Sequence, residues 1–161
     1  DIQRLEGWYG NRLETRFDMA PLIDTPPTAE AWVLSTSPIL AIAPIRASLE
    51  IFDAVGMPAL RERSLQLTDY LLSLLDDVAT RAPLEIVTPR EAARRGSQIS
   101  IRIDTDVAQF ARRMDENWGV IPDDRKPNII RMAPIPLYTS FHDCWRGADA
   151  VSRELLGRSI G

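Results

Sequence analysis

The sequence predicts an α/β (α+β) fold in which helices cover one face of a small mixed or antiparallel sheet. Three observations lead to this prediction. Short segments with alternating polar and apolar residues, typical of half-buried strands, are interleaved with segments whose apolar residues recur every three or four positions, as in helices. That order favours a layer of helices on a sheet. The chain has 161 residues with 45% hydrophobic content, enough to form its own core.

Two long helices are predicted first. Ser37 can act as an N-cap, a proline follows it, and apolar residues then recur at helical spacing as far as Gly56. A second helix is predicted from Pro58 to about Val78. The apolar faces of these two helices consist of Ile42, Ile45, Leu49 and Phe52 in the first, and of Leu60, Ser64, Leu67, Leu71, Leu74 and Val78 in the second.

Strands and helices alternate over the rest of the chain. The predicted order is a strand at 85–87, a short helix with capping-box spacing at 88–91 that ends at Gly96, a strand at 98–103, a helix around 107–114, strands at 119–122 and 128–133 joined by a turn at 123–127, and a helix from Ser140 to about Leu156. The side chains predicted to form the core are Ile99, Ile101, Ile130 and Met132 of the sheet and Leu67, Leu71, Phe110 and Met114 of the helices.

Residues 1–36 are predicted to be an irregular arm. Pro21, Pro26 and Pro27 interrupt them, and neither helical nor strand periodicity is sustained. So long an irregular segment is unusual in a self-contained domain, so we expect it to be extended and to pack against something outside the domain at 37–161. Because the chain begins with Asp1 and not with methionine, we expect a fragment or a processed chain.

Composition argues against several classes of protein. The net charge is −4 and no basic block is present, which disfavours nucleic acid and anionic membranes as partners. No apolar run approaches the roughly 20 residues of a membrane span. The single cysteine, Cys144, excludes an internal disulfide framework and is typical of a cytoplasmic protein.

Common catalytic and metal-binding motifs are nearly absent from the sequence. One histidine and one cysteine make a zinc site implausible, and no nucleophile-elbow, dinucleotide-binding or phosphate-loop motif is present. His142 is interpreted as a packed or capping residue, and Cys144 as a small buried helix residue. The pair Arg94-Arg95 is interpreted as a solvated helix end. Lys126 is the sole lysine, so it alone could form a Schiff base in this chain.

Two features could bind a ligand. Arg131 shares one face of its predicted strand with Ile129 and Ala133, so it either pairs with an acid of its own protein or grips a ligand carboxylate through two donors. Trp8, which with Tyr9 lies between two glycines, could donate its indole N–H to a phosphate or carbonyl oxygen, or could simply anchor the arm. We expect the Arg131 guanidinium to lie on the open face of the sheet and to have no carboxylate partner from its own chain, because a ligand-binding arginine needs free donors.

Several sequence strings together resemble kynureninases. They follow the family's order from Trp8 to the last helix and cover nearly the whole chain. The strings are GWYG at 7–10, TRF at 15–17, SLEIF at 48–52, LRERSLQLT at 60–68, VTPR at 87–90, RGS at 95–97, IRMAPIPLY at 130–138 and FHD at 141–143.

The resemblance implies the C-terminal small domain of an aminotransferase-like (fold type I) homodimer that uses pyridoxal 5'-phosphate. Residues 1–36 would then be the arm leading from a large domain. The implied reaction is hydrolysis of the Cβ–Cγ bond of kynurenine or 3-hydroxykynurenine in tryptophan catabolism, giving alanine and anthranilate or 3-hydroxyanthranilate. The active site would lie between domains and subunits.

The resemblance also implies roles for five residues. Trp8 would donate to the cofactor phosphate, and Ser35 and Thr36 would contact the phosphate or the substrate. Arg131 would bind the substrate α-carboxylate, and Asn11 stands where the family often has a histidine near the substrate ring. The family's Schiff-base lysine lies upstream, and Lys126 in a polar turn is no substitute, so the isolated chain is expected to contain no catalytic residue and to be inactive.

Two alternatives remain open at this point. A class V aminotransferase or a desulfurase-like enzyme would share the carboxylate-binding arginine but not the string around Trp8. A non-catalytic binding module would have the same domain fold but would catalyse no reaction. The coding sequence upstream of Asp1 separates these readings, since a large domain with a lysine favours the enzyme.

Overall fold

Four helices and four strands make up the regular structure of residues 4–160, which are the residues described by the computed structural model. In chain order they are α1 (Ile39–Val55), α2 (Met57–Ala79), β1 (Leu84–Ile86), β2 (Ile99–Ile103), α3 (Val107–Trp118), β3 (Asp123–Arg125), β4 (Ile129–Met132) and α4 (Phe141–Leu156). Short 3₁₀ helices lie at Trp8–Gly10, Ala29–Trp32 and Ala92–Arg94. The chain divides into two units, the first ending at Ala54 and the second beginning at Val55. The predicted division into an arm and a small domain after residue 36 stays a prediction.

The second unit contains a four-stranded antiparallel sheet in the order β1-β2-β4-β3. Its registers place Ile101 opposite Ile86 on one side and opposite Ile130 on the other. Because side chains alternate between the two faces of a strand, the isoleucines of β2 all point to the same face, and all three are buried. The prediction of a small sheet covered on one face is confirmed, in its antiparallel form.

The core lies between this apolar face and the helices α2, α3 and α4. It includes all eight side chains predicted to form it: Ile99, Ile101, Ile130, Met132, Leu67, Leu71, Phe110 and Met114. Helix α4 begins at the predicted place with a capping box, in which Ser140 and Asp143 each accept the other's backbone N–H. The spacing of apolar residues was therefore sufficient to identify both layers of the domain.

One strand and one turn were predicted wrongly. The segment at 119–122 is not a strand, because Gly119 adopts the left-handed conformation (φ 62°) and, with Val120, caps the end of α3. Residues 123–125, predicted as part of a turn, form the edge strand β3 instead. The turn is confined to residues 126–128. The three residues of β3 are all polar, so this segment lacks the alternation of polar and apolar residues by which strands are recognised.

The predicted capping box at residues 88–91 is also absent. Thr88 accepts the backbone N–H of Ser100 at 2.8 Å and so continues the pairing of the sheet beyond β1. The short helix is a 3₁₀ turn at Ala92–Arg94, and its N-cap, Glu91, makes no side-chain capping bond. The hydroxyl that could cap a helix is thus used by the sheet.

Arg95 is buried and not the solvated helix end that was predicted. Its side chain is 2% exposed, and its guanidinium contacts the Asp69 carboxylate, the Thr68 hydroxyl and the Arg90 carbonyl. Charge-assisted bonds to several acceptors make the burial of an arginine tolerable. Arg95 thereby ties the 3₁₀ segment to α2, whereas its neighbour Arg94 is exposed.

Residues 4–36 are irregular, as predicted, but they are not extended, and residues 1–3 of the predicted arm lie outside the described residues. Asp24 folds back on Arg12, since its carbonyl accepts the Arg12 backbone N–H at 2.7 Å and its carboxylate accepts Arg12 Nε at 3.1 Å. Few side chains are buried there, and every residue of α1 is exposed. Local hydrogen bonds, and not an apolar core, hold this segment in shape.

Cys144 is buried against the carbonyl of Leu67, as predicted for a small helix residue. Burial raises the pKa of its thiol to about 11. At pH 8 only about one molecule in a thousand carries the reactive thiolate. We therefore expect a disulfide reagent at pH 8 to modify Cys144 at least about a hundredfold more slowly in the folded chain than in the urea-unfolded chain. Equal rates in the two states would contradict this placement.

Candidate functional site

Arg131 lies in β4 on the face of the sheet opposite the core. The register places it between Ser100 of β2 and Asp123 of β3. Its neighbours along the strand, Ile130 and Met132, point into the core, and Arg131 itself is half-buried. The prediction that its guanidinium lies on the open face is therefore confirmed.

The prediction that Arg131 has no acidic partner from its own chain is wrong. Asp123 Oδ2 accepts both Nε, at 2.7 Å, and Nη2 of Arg131. The hydrogen bond from Arg131 holds the pKa of the Asp123 carboxyl below its ordinary value. A depressed carboxyl pKa means that the pair persists at neutral pH and is lost as the pH falls through that lowered pKa. The pairing was missed because Asp123 was assigned to a turn and not to the strand beside Arg131.

The open face carries a second ion pair of the same type. Arg102 of β2 lies directly opposite Glu85 of β1, and its Nη1 contacts the Glu85 carboxylate. Asp123 also contacts Arg125, which follows it by two residues on β3. The face is thus polar, in contrast with the apolar face beneath the helices.

Trp8, Ser35 and Thr36 lie on two segments that touch within the first unit. Gly7 approaches the backbone of Leu34 so closely that an added Cβ would lie 2.1 Å from its carbonyl oxygen. Only glycine permits this approach, which brings the strings around Trp8 and Ser35 side by side. Trp8 is 46% exposed, and Ser35 and Thr36 are exposed. Within residues 4–160, no hydrogen-bond partner is found for their side chains.

Asn11 uses both ends of its amide to hold the loop. Its Oδ1 accepts the Asp24 backbone N–H at 2.8 Å, and its Nδ2 donates to the Trp8 carbonyl at 3.2 Å. These contacts fix the backbone directly after the tryptophan. Its predicted contact with the substrate ring stays a prediction.

Sequence reasoning overlooked Arg16, although the string TRF contains it. Its guanidinium lies 4.2 Å from the centre of the Tyr9 ring, and its Nη2 donates to the Asn11 carbonyl at 3.2 Å. These side chains line a hollow of about 270 Å³ that also includes Glu30 and Val33. A cation–π contact leaves no mark in sequence spacing, so only the resemblance could have singled this residue out.

His142 and Lys126, the other residues considered for chemistry, lie at the surface. The His142 ring stacks on Trp145 with a centroid separation of 5.7 Å, and Ser140, not His142, caps the helix. Lys126 is exposed in the turn after β3. In residues 4–160, no cluster of acidic, histidine and cysteine side chains is arranged to hold a metal ion. Nor is any helix in that range long and apolar enough to cross a membrane.

Residues 60–151 match the family model described as the kynureninase C-terminal domain. The kynureninase of Salinispora tropica is 53% identical over 152 residues, which are 94% of this chain and 35% of that protein. The kynureninases of Koribacter versatilis and Myxococcus xanthus are each 47% identical, over 91% of this chain and 34% of theirs. The chain spans about a third of the length of the curated relatives it matches.

A solved structure has the same fold at low sequence identity. It is an alanine–glyoxylate aminotransferase from Nostoc sp., with a TM-score of 0.56, 16% identity, and coverage of 79% of this chain and 34% of that one. The likeness shows that the chain has the fold of part of an aminotransferase, and at this identity it shows the fold alone.

Proposed function

The chain belongs to the kynureninase family, and from this premise we propose that it is the C-terminal part of a pyridoxal-phosphate-dependent enzyme that hydrolyses kynurenine or 3-hydroxykynurenine. The products would be alanine and anthranilate or 3-hydroxyanthranilate. The observation that carries the proposal is the family match across residues 60–151, since it includes the whole sheet and Arg131.

We propose that Arg131 binds the α-carboxylate of the substrate. Its guanidinium has five N–H donors, of which Asp123 takes one from Nε and one from Nη2. The donors of Nη1 and the second donor of Nη2 contact no acceptor within residues 4–160. Those groups form the outer edge of the guanidinium, which suits the two oxygens of a carboxylate.

The residues of the first unit fit the phosphate of pyridoxal 5'-phosphate. An exposed tryptophan and two exposed hydroxyl-bearing residues lie on adjoining segments, held together by the close approach of Gly7 to Leu34. Trp8, Ser35 and Thr36 would donate hydrogen bonds to the phosphate. When bound, this cofactor supplies an electron sink for deprotonation at the substrate Cα. Asn11 would orient Trp8 through its carbonyl and could also reach the substrate ring.

The remaining parts of the proposal concern the intact enzyme. The Schiff-base lysine would come from the portion of the parent that precedes this chain, because Lys126 lies exposed in a turn. The isolated chain would therefore be inactive. The parent would be a cytoplasmic homodimer with kynurenine as its small-molecule partner, and with neither nucleic acid nor membrane as a partner.

A chimera tests the proposal. In it, this chain replaces the stretch of the Salinispora tropica kynureninase that it matches, at 53% identity. We expect the folded chimera to release anthranilate from kynurenine, which is followed by its fluorescence, and the isolated chain to release none. Circular dichroism and the absorbance of bound cofactor report on folding. A chimera that folds and binds the cofactor but does not cleave kynurenine would contradict the proposal.

A further inference from the structure

Asp123 contacts Arg131 along one edge of the guanidinium only. Both bonds, from Nε and from Nη2, end on the same oxygen, Oδ2. Nε and Nη2 form the inner edge of the fork, nearest the stem of the side chain. The outer edge, formed by Nη1 and the second N–H of Nη2, contacts no acceptor in the part of the chain that the structure describes. The Asp123 carboxylate therefore fixes the plane of the Arg131 guanidinium and does not occupy the N–H donors of its outer edge.

Asp123 is itself held in place. Its second oxygen, Oδ1, contacts Arg125, whose Nη1 also donates to the Asp124 carbonyl at 2.8 Å. The ladder between β3 and β4 pairs Asp123 directly with Arg131, so the two Cα positions are set by backbone hydrogen bonds. The pair does not depend on a mobile loop.

The charges around Arg131 do not cancel. Asp123 contributes one negative charge, and Arg125 and Arg131 contribute two positive charges, so the cluster keeps a net charge of +1. Because Arg125 neutralises Asp123, the carboxylate orients Arg131 without removing its attraction for an anion. A lone Asp123–Arg131 pair would instead be neutral.

We propose that Asp123 is a positioning residue that fixes the Arg131 guanidinium so that its outer edge receives the substrate carboxylate. This inference rests on the proposed function. Two other roles are conceivable for such a contact. Asp123 could compete with the substrate for Arg131, or the pair could only stabilise the sheet. The three roles predict different effects on the Michaelis constant.

The pairing is tested first on the isolated chain. In ¹H–¹⁵N spectra, the Nε–H signal of Arg131 is expected to be protected from solvent exchange, and to lose that protection in Asp123→Asn. Asp123→Glu, which keeps the negative charge, is expected to retain part of the protection of the Arg131 Nε–H. Glu85→Gln is the matched control, because it breaks the neighbouring Glu85–Arg102 pair on the same face. An Arg131 signal insensitive to Asp123→Asn would overturn the inference.

The chimera tests the functional consequence. Asp123→Asn is expected to raise the KM for kynurenine about tenfold with kcat changed less than about twofold, as for loss of one charge-assisted bond that orients a binding group. Asp123→Glu should restore part of the affinity, and Glu85→Gln should leave KM unchanged. A fall in KM would mean that Asp123 competes with the substrate, and an unchanged KM would mean a structural role; either result overturns the inference.

The two proposals fail in different ways. If the unsubstituted chimera folds, binds cofactor and does not cleave kynurenine, the proposed function is wrong. If the unsubstituted chimera cleaves kynurenine and its KM does not rise with Asp123→Asn, only the positioning role of Asp123 is wrong.

Discussion

Replacing Arg131 with lysine in the chimera is expected to raise the KM for kynurenine about 10- to 150-fold. Loss of one charge-assisted hydrogen bond is worth roughly 1.5–3 kcal/mol, which corresponds to that range. A lysine keeps the positive charge, but its ammonium is a point charge and cannot present two parallel donors to a carboxylate. The measurement is the KM from initial rates of anthranilate release.

Arg102→Lys is the matched control for this experiment. Arg102 lies on the same face and also pairs with a carboxylate across the sheet, so the same substitution removes the same donor geometry at a residue that is not proposed to bind the substrate. We expect Arg102→Lys to leave the KM nearly unchanged. Arg131→Lys should also change stability little, because its partner Asp123 is 45% exposed and can be solvated. If Arg131→Lys melted the domain and left the KM of the surviving protein unaltered, Arg131 would be a structural residue.

Replacing Phe110 with alanine is expected to lower the free energy of unfolding of the second unit by about 3–5 kcal/mol. Phe110 is fully buried on α3 and is among the largest side chains in the core. Truncation removes its apolar contacts and leaves a cavity that the surrounding side chains fill only in part. Natural domains have total stabilities of about 5–15 kcal/mol, so the change should leave this unit marginally stable.

Urea unfolding of the isolated chain, followed by the amide signals of β2, measures this effect in the second unit alone. Resolved signals are preferable to a global probe because the chain contains two units, which need not unfold together. Tyr138→Ala is the control. The Tyr138 side chain is 78% exposed, so its removal should change the free energy of unfolding little. An effect of Phe110→Ala no larger than that of the control would place Phe110 outside the core.

The elements that could be predicted from the sequence are those in which the pattern of neighbouring residues indicates which side chains are buried or where a helix begins. Ile99, Ile101 and Ile103 alternate with polar residues, and a half-buried strand requires such alternation. Ser140 and Asp143 specify the start of α4 because both partners of the capping box lie in the same turn. In each case the interactions or patterns that define the element involve residues only a few positions apart in the sequence.

The features that could not be predicted depend on contacts with residues that are distant in the sequence. Arg95 looks like a surface cation, and only its contacts with Thr68 and Asp69, 27 and 26 residues away, explain its burial. The strand β3 exists because β4 lies beside it, since its own residues are those of a turn. With β3 assigned to a turn, nothing in the sequence indicated that Asp123 would face Arg131.

The role of Arg131 is tested most directly by removing the carboxylate that it is proposed to bind. A kynurenine analogue with hydrogen in place of the α-carboxylate is used as a competitive inhibitor of the unsubstituted chimera and of Arg131→Lys. We predict that Arg131→Lys weakens the apparent affinity for kynurenine by about 10- to 150-fold and changes the inhibition constant of the analogue by less than about twofold. An equal loss of affinity for both compounds would contradict the assignment of Arg131 to the substrate carboxylate.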